Sequence, residues 1–242
     1  MISKIREAIA LFINNLSLFT KIILTVWLPG SILLVFLRYF VLPETAGGDN
    51  FTAIVQEIRI SALIETAVSP LYGGAIIYAL SRIKQSLPVG YGEAMNYGAK
   101  KGFKLFATRF STGLIVFLGL LALIIPGIIL SLRYYFIDEI VLLENTNGGA
   151  ARKRSTTLTK GKKAEIFFAT SITWILLFIF AAVIAELLLL LFGLVPLSIS
   201  FVLDVLLECF NSVIFGLLYV ISFVYYWDSK QVDYYSESSE AL

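Results

Sequence analysis

Asp204 and Glu208 stand four residues apart in an otherwise apolar stretch, so on a helix their carboxylates share one face. Carboxylates placed in this way can hold a cation, pass a proton, or act together as acid and base. The chain has no histidine to join them, and Cys209, its single cysteine, lies in the same apolar stretch. The usual general base, the commonest metal ligand and any disulfide are thereby removed. No nucleophile or metal-ligand set accompanies the two carboxylates, so the expectation is a non-enzyme with no metal and no cofactor.

The elements that must position these residues are set by hydropathy. Of the 242 residues, 58% are hydrophobic and 15% charged, with a mean hydropathy of +0.86. A soluble domain carries about a quarter charged residues. The apolar residues fall in long runs, among them 22–36, 114–132 and 166–192, which only lipid accommodates in so small a chain. The chain therefore reads as an all-α integral membrane protein.

A crossing needs roughly 20 apolar residues at about 1.5 Å each. The segments 22–42 and 58–80 qualify, the second with an expected kink at Ser69-Pro70 and Gly73-Gly74. The run 106–143 would extend about 57 Å as one helix, too far for a single crossing. Ile125-Pro126-Gly127 divides it into 106–125 and 126–143, since proline suits the first turn of a helix and disrupts the interior. With 166–192 and 198–227, six spans are predicted. Ahead of them, residues 1–20 set Ile2, Ile5, Ile9, Phe12, Ile13, Leu16 and Phe19 at helical spacing, the pattern of an amphipathic surface helix. The membrane domain covers 1–232, and 233–242 reads as an acidic cytosolic tail carrying Asp233, Glu237 and Glu240.

Charge orients the six spans. Lys4, Arg6 and Lys21 precede the first span; Arg82, Lys84, Lys100, Lys101, Lys104 and Arg109 fall on the same side. So do Arg152, Lys153, Arg154, Lys160, Lys162, Lys163 and Lys230, whereas the connectors 43–57 and 193–197 hold no lysine or arginine. The positive-inside rule then puts both termini in the cytoplasm.

Glu7-Ala8-Ile9 with Leu18-Phe19-Thr20, Glu93-Ala94-Met95 with Leu105-Phe106-Ala107-Thr108, and Ala150-Ala151 with Phe167-Phe168-Ala169-Thr170 resemble one another. They suggest three copies of a unit made of a cytosolic helix and a transmembrane hairpin. The stretch Ile125-Pro126-Gly127-Ile128, Arg133, Val141-Leu142-Leu143-Glu144, Gly149-Ala150-Ala151, Ser155 and Leu158-Thr159-Lys160-Gly161 carries a resemblance of its own. It resembles the membrane-domain family associated with glycerophosphodiester phosphodiesterases, together with the stand-alone uncharacterised relatives of that domain. The resemblance implies a six-helix domain in the cytoplasmic (inner) membrane of a bacterium or archaeon. The phosphodiesterase is a separate barrel that needs histidine and a metal, so its activity does not carry over.

Depth counted along the spans gathers Arg38, Arg59, Glu65, Arg133, Glu186, Asp204 and Glu208 in the outer half of the bilayer. Each intramembrane charge costs roughly 2.5–3.5 kcal/mol or more at a helix centre unless paired or hydrated. Pairing is therefore expected, first of all between Arg133 and either Glu186 or Asp204. Two readings stay open, structural ion pairs that tie the bundle together or a hydrated pocket for an ion, a proton or a polar headgroup. At the cytosolic face, Lys100, Lys101, Lys104, Arg152, Lys153, Arg154, Lys160, Lys162 and Lys163 satisfy the positive-inside rule. They are also candidate contacts for anionic lipid, at about 1 kcal/mol each near the surface.

The leading expectation is a partner or scaffold subunit of a membrane complex, with membrane lipids and another membrane protein as partners and no nucleic acid. The alternative is a small transporter or lipid-handling protein that uses the polar pocket. A membrane-embedded hydrolase built on Asp204 and Glu208 comes third.

Overall fold

A computed structural model describes residues 1–41, 50–192 and 197–240. Within them the chain is helical throughout, with no strand among the described residues. Helices α1 (Ile2–Asn14) and α2 (Leu16–Phe36) are followed by a π-helical turn, Leu37–Val41. Then come α3 (Asn50–Lys84), α4 (Tyr91–Ala122), α5 (Ile124–Arg133), α6 (Ile137–Leu143) and α7 (Gly148–Leu158). Helices α8 (Lys163–Phe192), α9 (Leu197–Phe215) and α10 (Leu217–Glu240) complete the chain. Five stretches are long and apolar enough to cross a membrane: Leu16–Val41, Ile58–Lys84, Tyr91–Ala122, Lys163–Leu188 and Ile199–Tyr234. This is a multi-pass helical membrane protein, and helices dominate because lipid offers no partner to an unpaired backbone amide.

The predicted fourth span, 126–143, is not one helix. It is split into α5 and α6 by residues 134–136, and α5 alone, at about 15 Å, is too short to cross. The chain nevertheless runs back beside α4. Gly127 lies against Gly119 and Leu120, Arg109 binds Asp138, the Tyr97 hydroxyl donates to the Leu142 carbonyl, and Lys101 and Lys104 reach Asn145. The turn into α5 falls at Leu123, whose backbone is extended, so Pro126 occupies the first turn of α5 and costs no hydrogen bond. Ser155 of α7 bridges the break in the middle. Its Oγ donates to the Arg133 carbonyl at 2.8 Å and accepts the Phe136 N–H at 3.2 Å, replacing bonds that the broken helix lacks.

The middle surface segment also differs from expectation. It is the first part of α4, continuous with the crossing, whereas α1 and α7 are separate short helices. Two of its glycines, Gly98 and Gly102, are contact points. A Cβ added at Gly74 would lie 3.3 Å from the Gly98 Cα across the α3–α4 interface, and Gly102 faces Leu71. Small residues let helix backbones approach where lipid supplies no hydrophobic drive to association. Helix α3 carries Pro70 without interruption, and Gly73 leaves room for the Tyr219 ring.

Ion pairs gather the basic connectors at one end of the bundle. The amino terminus binds Glu165 at 2.9 Å, Lys4 binds Asp228 at 2.7 Å, and Lys84 binds Glu7. Arg154 holds Glu144 at 3.1 Å and Asp233 at 2.6 Å. Asp233 therefore belongs to the bundle, and α10 continues through the expected tail to Glu240. Much of the core lies toward the same end, where Phe19, Ile22, Ile76, Leu80, Phe136, Tyr225 and Tyr226 are fully buried. Most of the two connectors free of lysine and arginine lies outside the described residues, as do 241 and 242.

Candidate functional site

Between its helices the bundle carries an open cavity of about 690 Å³. Each wall is one helical stripe. Glu65 and Tyr72 lie two turns apart on α3, and Thr170, Trp174 and Phe178 are spaced by four on α8. Glu208, Asn211, Ser212 and Phe215 follow the i, i+3, i+4, i+7 pattern on α9, with Tyr219 and Ser222 continuing on α10. Trp27 and Leu34 of α2 close one side, Tyr135 and Asp138 the other. The space exists because α3 packs on α2, α4, α6 and α10 while α8 packs on α5, α9 and α10. Across the cavity α3 and α8 face each other, and neither is a principal packing partner of the other.

Three carboxylates stand in the wall: Glu65, Asp138 and Glu208. Two of them have committed partners. At the end away from the basic connectors, Arg38 in the π-helical turn donates from Nη2 to Glu208 Oε1 at 2.9 Å and approaches Asp204 at 3.8 Å. The Tyr39 hydroxyl donates to Asp204 at 2.7 Å. A π-helical turn rotates successive side chains off the regular α spacing, and here it presents Arg38 and Tyr39 to one α9 stripe. Nearer the basic end, Arg109 grips Asp138 with both edges of its fork, Nε to Oδ1 at 2.8 Å and Nη2 to Oδ2 at 2.5 Å. Its Nη1 donates to Ser69 at 2.9 Å, and its guanidinium carbon lies 5.7 Å from the centre of the Tyr219 ring. Such a bidentate pair is geometrically exacting and strong. Glu65 has no salt bridge among the described residues; Tyr72, Arg109 and Glu208 are its electrostatic neighbours.

The seven residues assigned to one outer polar layer separate in the structure. Glu65 and Glu208 line the cavity, and Arg38 and Asp204 join Glu208 at its edge. Arg59, Arg133 and Glu186 are exposed and lie outside the wall. The expected pairing of Arg133 with Glu186 or Asp204 does not appear among the described residues: Arg133 and Glu186 form no ion pair there, and Asp204 is held by Arg38 and Tyr39. Arg133 ends the short α5, and its carbonyl is what the fold uses. Sequence reasoning missed the Arg109–Asp138 pair. Both residues fall inside predicted spans, and folding 106–143 back at its middle sets them at similar depth, so the signal was present.

Asp138's neighbour Glu139 was missed as well. Its side chain is 1% exposed, and neither oxygen has a partner within ordinary hydrogen-bond geometry among the described residues. Asp138, Ser222 and Arg109 are its polar neighbours. A desolvated carboxylate without hydrogen bonds is costly, so Glu139→Gln, which keeps the shape and removes the charge, is expected to match or exceed the wild-type melting temperature in detergent. A substantial fall in melting temperature for this variant would show that the fold depends on the carboxylate.

The basic belt is largely engaged inside the protein. Lys101 and Lys104 donate to Asn145, Arg152 to Ser111 at 3.2 Å, and Lys162 to Ser229 at 3.1 Å, while Arg154 is clamped by two carboxylates. Lys100, Lys153 and Lys160 are exposed and Lys163 is half-exposed, which leaves these four best placed for lipid. No group of three or more acidic, cysteine or histidine side chains suited to a metal ion occurs among the described residues.

Comparison of the chain with protein-family models, with curated proteins and with solved structures gives no match.

Proposed function

We propose that this is a small transporter or lipid-handling protein of a bacterial or archaeal cytoplasmic membrane, which takes a polar ligand into the cavity between α3 and α8. The observation that carries this reading is a space of about 690 Å³, walled in part by carboxylates, within the spanning bundle. Its volume falls in the range of small-molecule sites. A protein serving only as a scaffold has no use for such a space, since interiors otherwise pack to the density of organic crystals.

In this reading the basic end faces the cytoplasm. The segment 124–143 makes the fourth of six passages as a broken helix, and three hairpins each follow a cytosolic helical segment. On this reading the layout would resemble that of the membrane domain found beside glycerophosphodiester phosphodiesterases. Along α3 the wall from Ser61 to Tyr72 covers about 16 Å, half the hydrocarbon thickness, so a ligand would sit well inside the bilayer.

The test is water access. In a Cys209→Ser background, Ser61→Cys and Ser222→Cys are expected to react with a charged, membrane-impermeant thiol reagent applied to open membranes. Leu176→Cys, on the exposed apolar face of α8, is not. If neither cavity position reacts, the space is closed to polar molecules and the reading is wrong. The subunit reading has another signature, a second membrane protein that co-purifies in fixed ratio in mild detergent.

A further inference from the structure

We propose that the ligand of this cavity is an organic cation, a protonated or quaternary amine, held by Glu65 and by the aromatic side chains around it. The inference rests on the cavity being a ligand site, and it concerns what that site selects.

The wall contains three carboxylates and no lysine or arginine. Arg38 answers Glu208, and Arg109 spends both edges of its fork on Asp138 and its remaining nitrogen on Ser69. Glu65 is left with no cation of its own, although Arg109 is near enough to be felt. Its side chain is exposed, and it lines the cavity. An anion entering here meets surplus negative charge. A cation meets a carboxylate that has Tyr72 as a hydrogen-bond neighbour and no ion pair among the described residues, in a medium of lower effective dielectric than water, where Coulomb attraction is stronger.

Seven of the fifteen other described wall residues are aromatic. Tyr72 and Tyr219 stand edge to face, 5.7 Å between ring centres, beside Glu65, and Trp174 packs 5.6 Å from Phe215 across the cavity. A carboxylate opposed by aromatic faces is the chemistry that recognises ammonium groups, because the ring quadrupole attracts a poorly hydrated cation. A bare inorganic ion would leave most of the 690 Å³ unfilled.

The experiment uses the whole protein in lipid nanodiscs, with ethidium as the cationic probe and fluorescein as an anionic probe of similar size. Saturable ethidium binding is expected, with no comparable fluorescein binding. Glu65→Gln should weaken ethidium binding by about tenfold or more, as loss of one close charge pair at low effective dielectric implies. Trp174→Ala should weaken it by a smaller factor, and Leu176→Ala, on the exposed apolar face, should leave it unchanged. If Glu65→Gln fails to fold, the Trp174→Ala result and the probe charge preference decide the matter. Preference for fluorescein, or ethidium binding indifferent to both wall variants, overturns the proposal. Thiol labelling separates the two failures: a reactive cavity that ignores ethidium sinks the cation assignment alone, whereas an unreactive cavity sinks both.

Discussion

Replacing Arg109 by methionine is expected to cost about 3–5 kcal/mol of stability, the usual effect of removing one partner from a buried ion pair. The guanidinium makes three hydrogen bonds, two to Asp138 and one to Ser69, and thereby ties α4 to α6 and α3. Without it, the largely buried Asp138 carboxylate in the cavity wall loses its counter-charge. The double variant Arg109→Met, Asp138→Leu removes both charges and should recover most of the loss, because a packed apolar pair avoids the desolvation cost. Resistance to unfolding in a denaturing-detergent titration measures all three proteins. A single variant as stable as the wild type would mean that the pair is hydrated and carries no structural role.

Gly98→Leu is expected to prevent assembly of the bundle. Even a Cβ at this position falls on the Leu71 carbonyl oxygen and within 2.9 Å of the Ala75 nitrogen, and both of those atoms are α3 backbone. A flexible side chain could swing aside; a neighbouring helix must move as a body. Gly98→Ala should therefore cost at least the roughly 1–3 kcal/mol typical of overpacking, despite the better helix propensity of alanine. Gly113→Ala is the control, since a Cβ there meets nothing within 4 Å. Size-exclusion profiles in mild detergent distinguish these outcomes: an aggregated Gly98→Leu beside a monodisperse Gly113→Ala is the expected pair. A monodisperse Gly98→Leu would falsify the close α3–α4 contact.

Both predictions rest on contacts whose legibility in the sequence differs. Gly98 and Gly102 stand out as glycines in a helical segment, and close packing is one natural reason for them. Their partner surface on α3, Leu71 to Ala75, is not visible until the two helices are docked. Arg109 and Asp138 were readable as a pair from the register of the hairpin, because an antiparallel fold at 123–126 fixes depth on both arms. The Arg38 cluster was readable only in part. Counting 1.5 Å per residue sets Arg38, Arg133, Asp204 and Glu208 at comparable heights, but height does not say which way a side chain faces around its helix.

Hydropathy and charge alone determine that the chain is helical, that it crosses the membrane repeatedly, and that its basic connectors lie at one end. Lipid forces those outcomes, since it satisfies no backbone group and rejects charge, whatever the neighbouring helices do. The tertiary structure decides what depends on rotation and spacing between helices. Arg38, and not Arg133, meets Asp204, because the π-helical turn aims one side chain at α9 while α5 stops short and leaves the other exposed. Ser155 bridges the break between α5 and α6 from nineteen residues further along the chain. The cavity itself is a gap between α3 and α8, helices about a hundred residues apart, and a gap of this kind is set by how all the other helices pack.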